Sequence, residues 1–335
     1  MTDRLRFVVV GGSGHASRVV APSLKRASNA VLTGVVGSRA ESASLFADTH
    51  SVRAFSCLEE ALDDASVDAL WIAAPNHLHA PIAISGARAG KHLLIEKPLA
   101  SNLGDAQAIV GAVEEAKIVA RVGYQHRFRA AHRRVRELLI REAAVGPIGL
   151  VRIHRFWKFP YFDDDRVVAS LSSWRRSAEL SGGWVTNDIG SHLVDLIPWL
   201  TGMPATGAAG LMATQKFDVS TEDTALMALK LGDRAIATLE ISAALESPGS
   251  RIEVYGQSGW LRVEDSFGPV ARIDSSNRPS EEHRVADWLD PYISEVESFA
   301  AAAMRGTEDI GTRLAEAAGT DSVIDVLRSV SRWIR

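Results

Sequence analysis

Over the first 123 residues, short apolar runs rich in β-branched side chains alternate with stretches of helical spacing. The runs at 7–10, 31–36, 69–73, 92–95 and 118–122 are apolar almost throughout, which fits strands covered on both faces rather than half-exposed ones. Strands of that kind separated by helices are joined by crossovers and run parallel, so this part is expected to be a doubly wound α/β sheet. After a helix over 130–141 and the turn Gly146-Pro147-Ile148-Gly149, the texture changes to longer strand-like stretches at 150–156, 224–231, 235–242, 252–255 and 260–263. Short turns such as Gly232-Asp233 and Gln257-Ser258-Gly259 separate several of these, the pattern of an antiparallel meander. Residues 184–200 read as a helix, 292–305 and 313–333 as two closing helices, and the polar stretch 274–283 as a solvated surface loop.

At 335 residues the chain exceeds the roughly 100–200 of a common single domain. Two are expected: 1–125, and an α+β domain over 126–335 whose C-terminal helix is free to pack back on the first. A formal net charge of −4 and 46% hydrophobic residues give no overall attraction to nucleic acid or anionic lipid. The single cysteine, Cys57, rules out an internal disulfide and a cysteine-based zinc site, reads as a packing residue, and suits a reducing compartment. No apolar run approaches the roughly 20 residues of a membrane span, and the run at 5–10 is too short for a signal peptide. The expectation is a cytoplasmic protein without metal, membrane or nucleic-acid partners.

Five segments carry chemistry. The first strand ends in Gly11-Gly12-Ser13-Gly14-His15-Ala16 and enters a helix, where small residues and a helix N-terminus suit a dinucleotide pyrophosphate. Counting from Gly11 puts Ser13 and Ala16 at the later glycine positions, and counting from Gly12 puts Ser17 at the third, so the register stays open. The second strand ends Gly37-Ser38-Arg39, with a hydroxyl and a guanidinium where an acid would hold the ribose of NAD; this favours the 2′-phosphate of NADP, with NAD(H) still possible. Next come Ala74-Pro75-Asn76 with His79, and then Glu96-Lys97-Pro98 after an apolar strand, at the carboxyl edge of a parallel sheet where ligands gather. A lysine there can donate to a substrate oxygen. Farther on, Gly182-Gly183 opens a segment in which Asp188 and His192 stand one helical turn apart on one face, with Asp195 a further turn on, placed either to orient the imidazole or to face the core. Histidine is suited to taking a hydroxyl proton near neutral pH.

In this order and spacing, these pieces together with Ala89-Gly90-Lys91-His92, Arg127-Phe128 and Trp174-Arg175 resemble the Gfo/Idh/MocA oxidoreductase family over nearly the whole chain. The resemblance implies an N-terminal Rossmann domain and a C-terminal α+β domain with a large, open, mainly antiparallel sheet, through which a homodimer or homotetramer forms. It implies an NADP(H)-dependent enzyme that moves a hydride between nicotinamide and the CH–OH or C=O carbon of a sugar, polyol or related cyclic compound. Lys97, Asp188 and His192 would be catalytic. Gly11, Gly12, Ser13, Gly14, His15, Ala16, Ser38, Arg39, Ala74, Pro75, Asn76, His79, Glu96, Lys97, Gln125, Trp174 and Arg175 would line the cofactor. Lys97, Arg127, Lys158, Tyr161, Asp188 and His192 would meet the substrate, aromatics stacking on sugar faces and cations donating to hydroxyls. The stretch 126–132 with Trp174-Arg175 is also similar to NADP-dependent 1,5-anhydrofructose reductases, through motifs too widely shared to name a substrate. Other readings on the same fold are a biliverdin-type reductase, an NAD-recycling glycosidase and a non-enzymatic regulator; a regulator would be expected to break the Lys97, Asp188, His192 set, which is intact here.

Overall fold

Successive residues of a strand point to opposite faces, and in the N-terminal sheet both faces are covered. The computed structural model describes residues 4–12, 14–156, 183–217, 219–247, 249–307 and 309–334. The chain divides into two compact units, Met1–Phe128 with Leu289–Ala318, and Arg129–Trp288 with Gly319–Arg335.

In the first unit, β1 (Leu5–Val10), β2 (Ala30–Val36), β3 (Arg53–Phe55), β4 (Ala69–Ile72), β5 (His92–Glu96) and β6 (Ala120–Gly123) form a six-stranded sheet in the order β3-β2-β1-β4-β5-β6. Every pairing in it is parallel. Val8, Val10, Leu70, Ile72, Leu93 and Ile95 pack on one side with Ala80, Ala83, Ile109 and Val113, from the helices His79–Arg88 and Leu103–Ala116. Phe7, Val9, Trp71 and Leu94 pack on the other side with Leu24, Phe46, Val296 and Phe299. The last two belong to the helix Asp290–Arg305, whose Phe299 ring lies 5.7 Å from that of Phe7, so this helix adds to the apolar cover of the first unit. Such two-sided burial is why the strands read as unbroken apolar runs.

The second unit is built on a nine-stranded sheet: β7 (Ile148–Phe156), β8 (Ala205–Ala213), β9 (Thr224–Leu231), β10 (Ala235–Ser242), β11 (Arg251–Gly256), β12 (Gly259–Glu264), β13 (Val270–Ser275), β14 (Arg278–Arg284) and β15 (Arg332–Ile334), in the order β14-β13-β12-β11-β7-β10-β9-β8-β15. It is mixed, mainly antiparallel, and not a simple meander: β7 is inserted between β10 and β11, parallel to β10, and β15 runs parallel to β8. The stretch 274–283 is also no loop. It holds the end of β13, a turn at Ser276-Asn277 and most of the edge strand β14, which looks polar because it is largely exposed and because Glu281 pairs with Arg134 at 2.9 Å. Among the described residues, no helix is long and apolar enough to cross a membrane.

Three histidines of the first unit are held by burial. His79 has no exposed surface; its Nδ1 lies 3.0 Å from the Pro98 carbonyl and its Nε2 2.9 Å from that of Ala74, so it ties the end of β4 to the turn after β5. A neutral ring donates to one of these carbonyls at a time. Burial pushes His79 below the ordinary imidazole value of 6.5, against the pull of the two carbonyls. His50 is lowered by burial and by the charge of Lys25, and His92 by burial against the pull of Asp68. A depressed imidazole stays neutral in the folded chain, whereas the unfolded chain takes up its proton below about 6.5, so stability is complete above that value and is lost as the pH falls towards the folded pKa. The urea midpoint is therefore expected to be lower at about pH 5.5 than at about pH 7.5. An unchanged midpoint would mean that these rings are charged in the fold.

Candidate active site

At the carboxyl edge of the six-stranded sheet, the chain turns sharply after β1. Gly11 donates its N–H to the Val36 carbonyl at 2.8 Å, with φ at +127°. A Cβ at Gly11 would lie 2.5 Å from the Ala73 carbonyl oxygen, so this position admits only glycine. Gly11 thus meets the demand on a tight-turn glycine, and Ala16, at the start of the helix that follows, is fully buried. Gly14, at φ +55°, has open space where a Cβ would point. Gly12 packs towards the carbonyl of Ser42. A one-turn π-helix, Ala16–Val20, then leads into the helix Ala21–Arg26.

Glu96, at the end of β5, joins this turn to the neighbouring strands. Its Oε1 accepts from His15 Nε2 and from Trp71 Nε1, each at 3.2 Å. Burial pushes the Glu96 carboxyl up, but the charge and hydrogen bond of His15, the charge of Lys97 and the hydrogen bond of Trp71 together hold it below the usual carboxylate value of 4.5. Lys97 follows directly, before the cis bond to Pro98. Gln125 starts the 3-10 turn after β6, and its Nε2 donates to Tyr292 Oη at 2.7 Å; the Tyr292 ring stands edge-on to His15, at 5.9 Å between centroids. The Gly11 turn, β5 and β6 thus bring His15, Glu96 and Gln125 into one connected group, and Tyr292 completes it.

The other residues expected on this side fall in different surroundings. Ala74 and Pro75 lead from β4 into the 3-10 turn Asn76–Leu78, and the Asn76 side chain is buried. Ser38 and Arg39 are exposed at the end of β2, Arg39 as the residue before the helix Ala40–His50. Arg127 is buried, and its Nη1 pairs with Glu316 Oε2 at 2.8 Å. Ser13, Lys158, Tyr161, Trp174 and Arg175 lie outside the described residues.

In the second unit the expected helix over 184–200 is two elements, a π-turn at Thr186–Gly190 and the α-helix Ser191–Thr201. Asp188 lies on the π-turn, its N–H donating to the Trp184 carbonyl at 2.7 Å, and His192 lies in the first turn of the α-helix. The π-turn packs on the inner face of the sheet: a Cβ at Gly190 would be 3.3 Å from Ile241 Cδ1 and 3.4 Å from Met227 Sδ. Asp188 is half-buried, His192 is buried and Asp195 is 2% exposed. Single-turn π segments inside helices recur at functional sites.

Two features escaped the sequence reading. Tyr292 lies 167 residues from Gln125, on a helix that reads only as an amphipathic stretch. Glu222 accepts from the Thr186 N–H at 2.9 Å across 36 residues, and only its place as an acid at the start of a strand distinguishes it.

Known proteins bear on these arrangements. A family model described as an oxidoreductase family with an NAD-binding Rossmann fold matches residues 5–124, and one for the Gfo/Idh/MocA C-terminal domain matches 132–262. The chain is 28% identical to a 1,5-anhydro-D-fructose reductase of Ensifer adhaerens over 302 residues, covering 89% of this chain and 87% of that protein. It is 27% identical to an NADP(+) D-xylose 1-dehydrogenase of Haloarcula marismortui over 314 residues, 91% of this chain and 85% of the other. A solved levoglucosan dehydrogenase in complex with NADH and levoglucosan superposes with a TM-score of 0.84 at 20% identity over 98% of this chain and 97% of that one, a likeness of fold. With both of its domains matched in order, the chain belongs to the Gfo/Idh/MocA family of oxidoreductases.

Proposed function

We propose that this oxidoreductase transfers a hydride between NADP(H) and a CH–OH or C=O carbon of a sugar, polyol or related cyclic compound. The observation that carries the reading is the cluster at the carboxyl edge of the first unit, where the glycine-only turn at Gly11 and the Glu96-Lys97 pair are joined through His15. The open space beside Gly14 and the obligate glycine at position 11 fit a dinucleotide whose phosphates approach the backbone closely. The sugar-directed names of the two relatives above support the substrate class. In this reading the first unit holds the cofactor, and the second supplies substrate contacts and the interface between subunits.

The nicotinamide supplies or accepts the hydride when bound. Among the chain's own groups, the Lys97 ammonium donates a hydrogen bond to the reacting oxygen of the substrate. His192 takes the hydroxyl proton during oxidation and returns it during reduction. Asp188, four residues before it, binds the substrate. Glu96 and Gln125 line the cofactor from the strand ends. His79, without exposed surface, acts through the Ala74 and Pro98 carbonyls that it ties together.

Three measurements test the parts of this reading. Ser38 and Arg39 stand exposed where a 2′-phosphate would lie, so fluorescence titration is expected to show tighter binding of NADPH than of NADH, with Arg39→Ala narrowing the gap by about tenfold; equal affinities in the unaltered protein would remove the argument from these two residues. Lys97→Ala and His192→Ala are each expected to lower turnover by about 100-fold or more while NADPH still binds, as read with a panel of sugars, inositols and keto-sugars. Full activity in either would refute the assigned roles. The outer face of the nine-stranded sheet exposes Leu226 at 45% and Ile236 at 53% on the adjacent strands β9 and β10, a surface suited to a second copy of the chain. Sedimentation is expected to give a dimer or tetramer, dissociated by Ile236→Lys, and a monomeric unaltered protein would overturn the assignment of this face.

A further inference from the structure

The start of the segment that bears Asp188 and His192 is held from one place, the beginning of β9. There Glu222 and Asp223 are adjacent, 2% and 0% exposed. Oε1 of Glu222 accepts from the N–H of Thr186 at 2.9 Å and also from its hydroxyl, and the Glu222 backbone carbonyl accepts from the N–H of Val185 at 3.3 Å. Asp223 accepts from the N–H groups of Gln215, Lys216 and Phe217 at 2.8–3.2 Å, fixing a loop whose Phe217 ring meets Trp184 edge-on at 5.1 Å between centroids. Trp184 in turn receives the N–H groups of Asn187 and Asp188 on its carbonyl. Two neighbouring carboxylates thus grip residues 184–188 by separate routes.

A cation lies nearby: Arg328, near the end of the helix Leu314–Val330, feels the charge of Glu222. A Cβ at Gly183 would lie 2.8 Å from both Arg328 Nη2 and Thr186 Oγ1 and 3.1 Å from Glu222 Oε1, so all three groups crowd one glycine at φ +130°. Burial pushes the Arg328 guanidinium down, against the pull of Glu222, Asp325 and Asp321. An acid this deep is costly unless it is hydrogen-bonded and has a cation nearby, and Glu222 has both. The backbone donors that it satisfies sit at the entry to a π-turn, where the usual intrahelical partners are missing.

We infer that Glu222, balanced by Arg328, is a positioning residue that sets the approach of Asp188 and His192 to the substrate. The inference rests on the proposed roles of those two residues, since it states what holds them and not what they do. A displacement on the order of 1 Å at a reacting group can cost about 100-fold in rate, so loosening this grip should appear in turnover more than in cofactor affinity.

The experiment compares the full-length protein with Glu222→Ala, Glu222→Gln and Thr186→Val by hydrogen–deuterium exchange and steady-state kinetics. Glu222→Ala is expected to raise amide exchange over 183–192 while leaving 92–97 and the strands β11 and β12 as they were. It is expected to lower kcat by about tenfold or more with NADPH affinity unchanged. Glu222→Gln, which keeps an oxygen acceptor, is expected to recover most of both, and Thr186→Val to fall between. Unaltered exchange over 183–192 in Glu222→Ala, or a rise spread evenly over the second unit, would overturn the inference; if that variant fails to fold, Thr186→Val decides by the same two readouts. Asp188→Asn and His192→Ala keep the two readings apart. Activity retained in these variants would sink the proposed chemistry, whereas their loss beside a fully active Glu222→Ala would sink only the positioning role.

Discussion

A single partly buried carboxylate organises the carboxyl edge of the first unit. Glu96 ends β5 beside the central strands, and left alone it would be protonated or exposed, because an unpaired charge in that position is expensive. It stays below the ordinary carboxylate value because His15, Lys97 and Trp71 all address it. Each comes from a different part of the chain, so the charge can be kept only when the Gly11 turn, β4 and the end of β5 are assembled together. His15 then meets Tyr292, and Tyr292 meets Gln125, which carries the same constraint to the end of β6 and to the returning C-terminal helix.

Where the physics is local, the sequence was easy to read. Five strands of the first unit were legible because burial on both faces leaves no polar residue to interrupt 7–10 or 93–95. The sixth, β3, was not; of Arg53, Ala54 and Phe55 only Phe55 is buried, too little for a pattern. In the second unit 224–231 and 235–242 were read to the residue, since each has one face inward and a tight turn between them. β8 was missed because its alanines and glycines carry little hydrophobic signal, and β14 because exposure on a sheet edge selects polar side chains as a loop does.

The order of the nine strands shows a different limit. β7 pairs in parallel with β10, and nothing in 150–156 or 235–242 distinguishes that neighbour from an antiparallel one. Local alternation reports which face of a strand is buried, and the partner is decided by contacts far apart in the chain. The candidate site divides in the same way. Motif residues such as Gly11, Lys97, Asp188 and His192 stood out by type and spacing. The register of the glycine turn did not, because it depends on how closely the Ala73 carbonyl approaches Gly11.

The support beneath those residues, of which only Glu96 belongs to a motif, takes the same physical form in each unit. Glu96 in the first unit, partly buried, and Glu222 in the second, buried, are acids whose hydrogen bonds reach donors on other segments: His15 and Trp71 for the one, the backbone and hydroxyl of Thr186 for the other. An acid of this kind is stringent, because moving a donor away costs a hydrogen bond that little water is at hand to replace, whereas an apolar contact tolerates a shift of a few tenths of an ångström. Rigid placement is also what a proton-transferring or hydrogen-bonding side chain needs, since its rate contribution falls steeply with misalignment. Glycine serves both sites: at position 11 it admits the Ala73 carbonyl, and at position 183 it admits Arg328, Thr186 and Glu222 around one α-carbon.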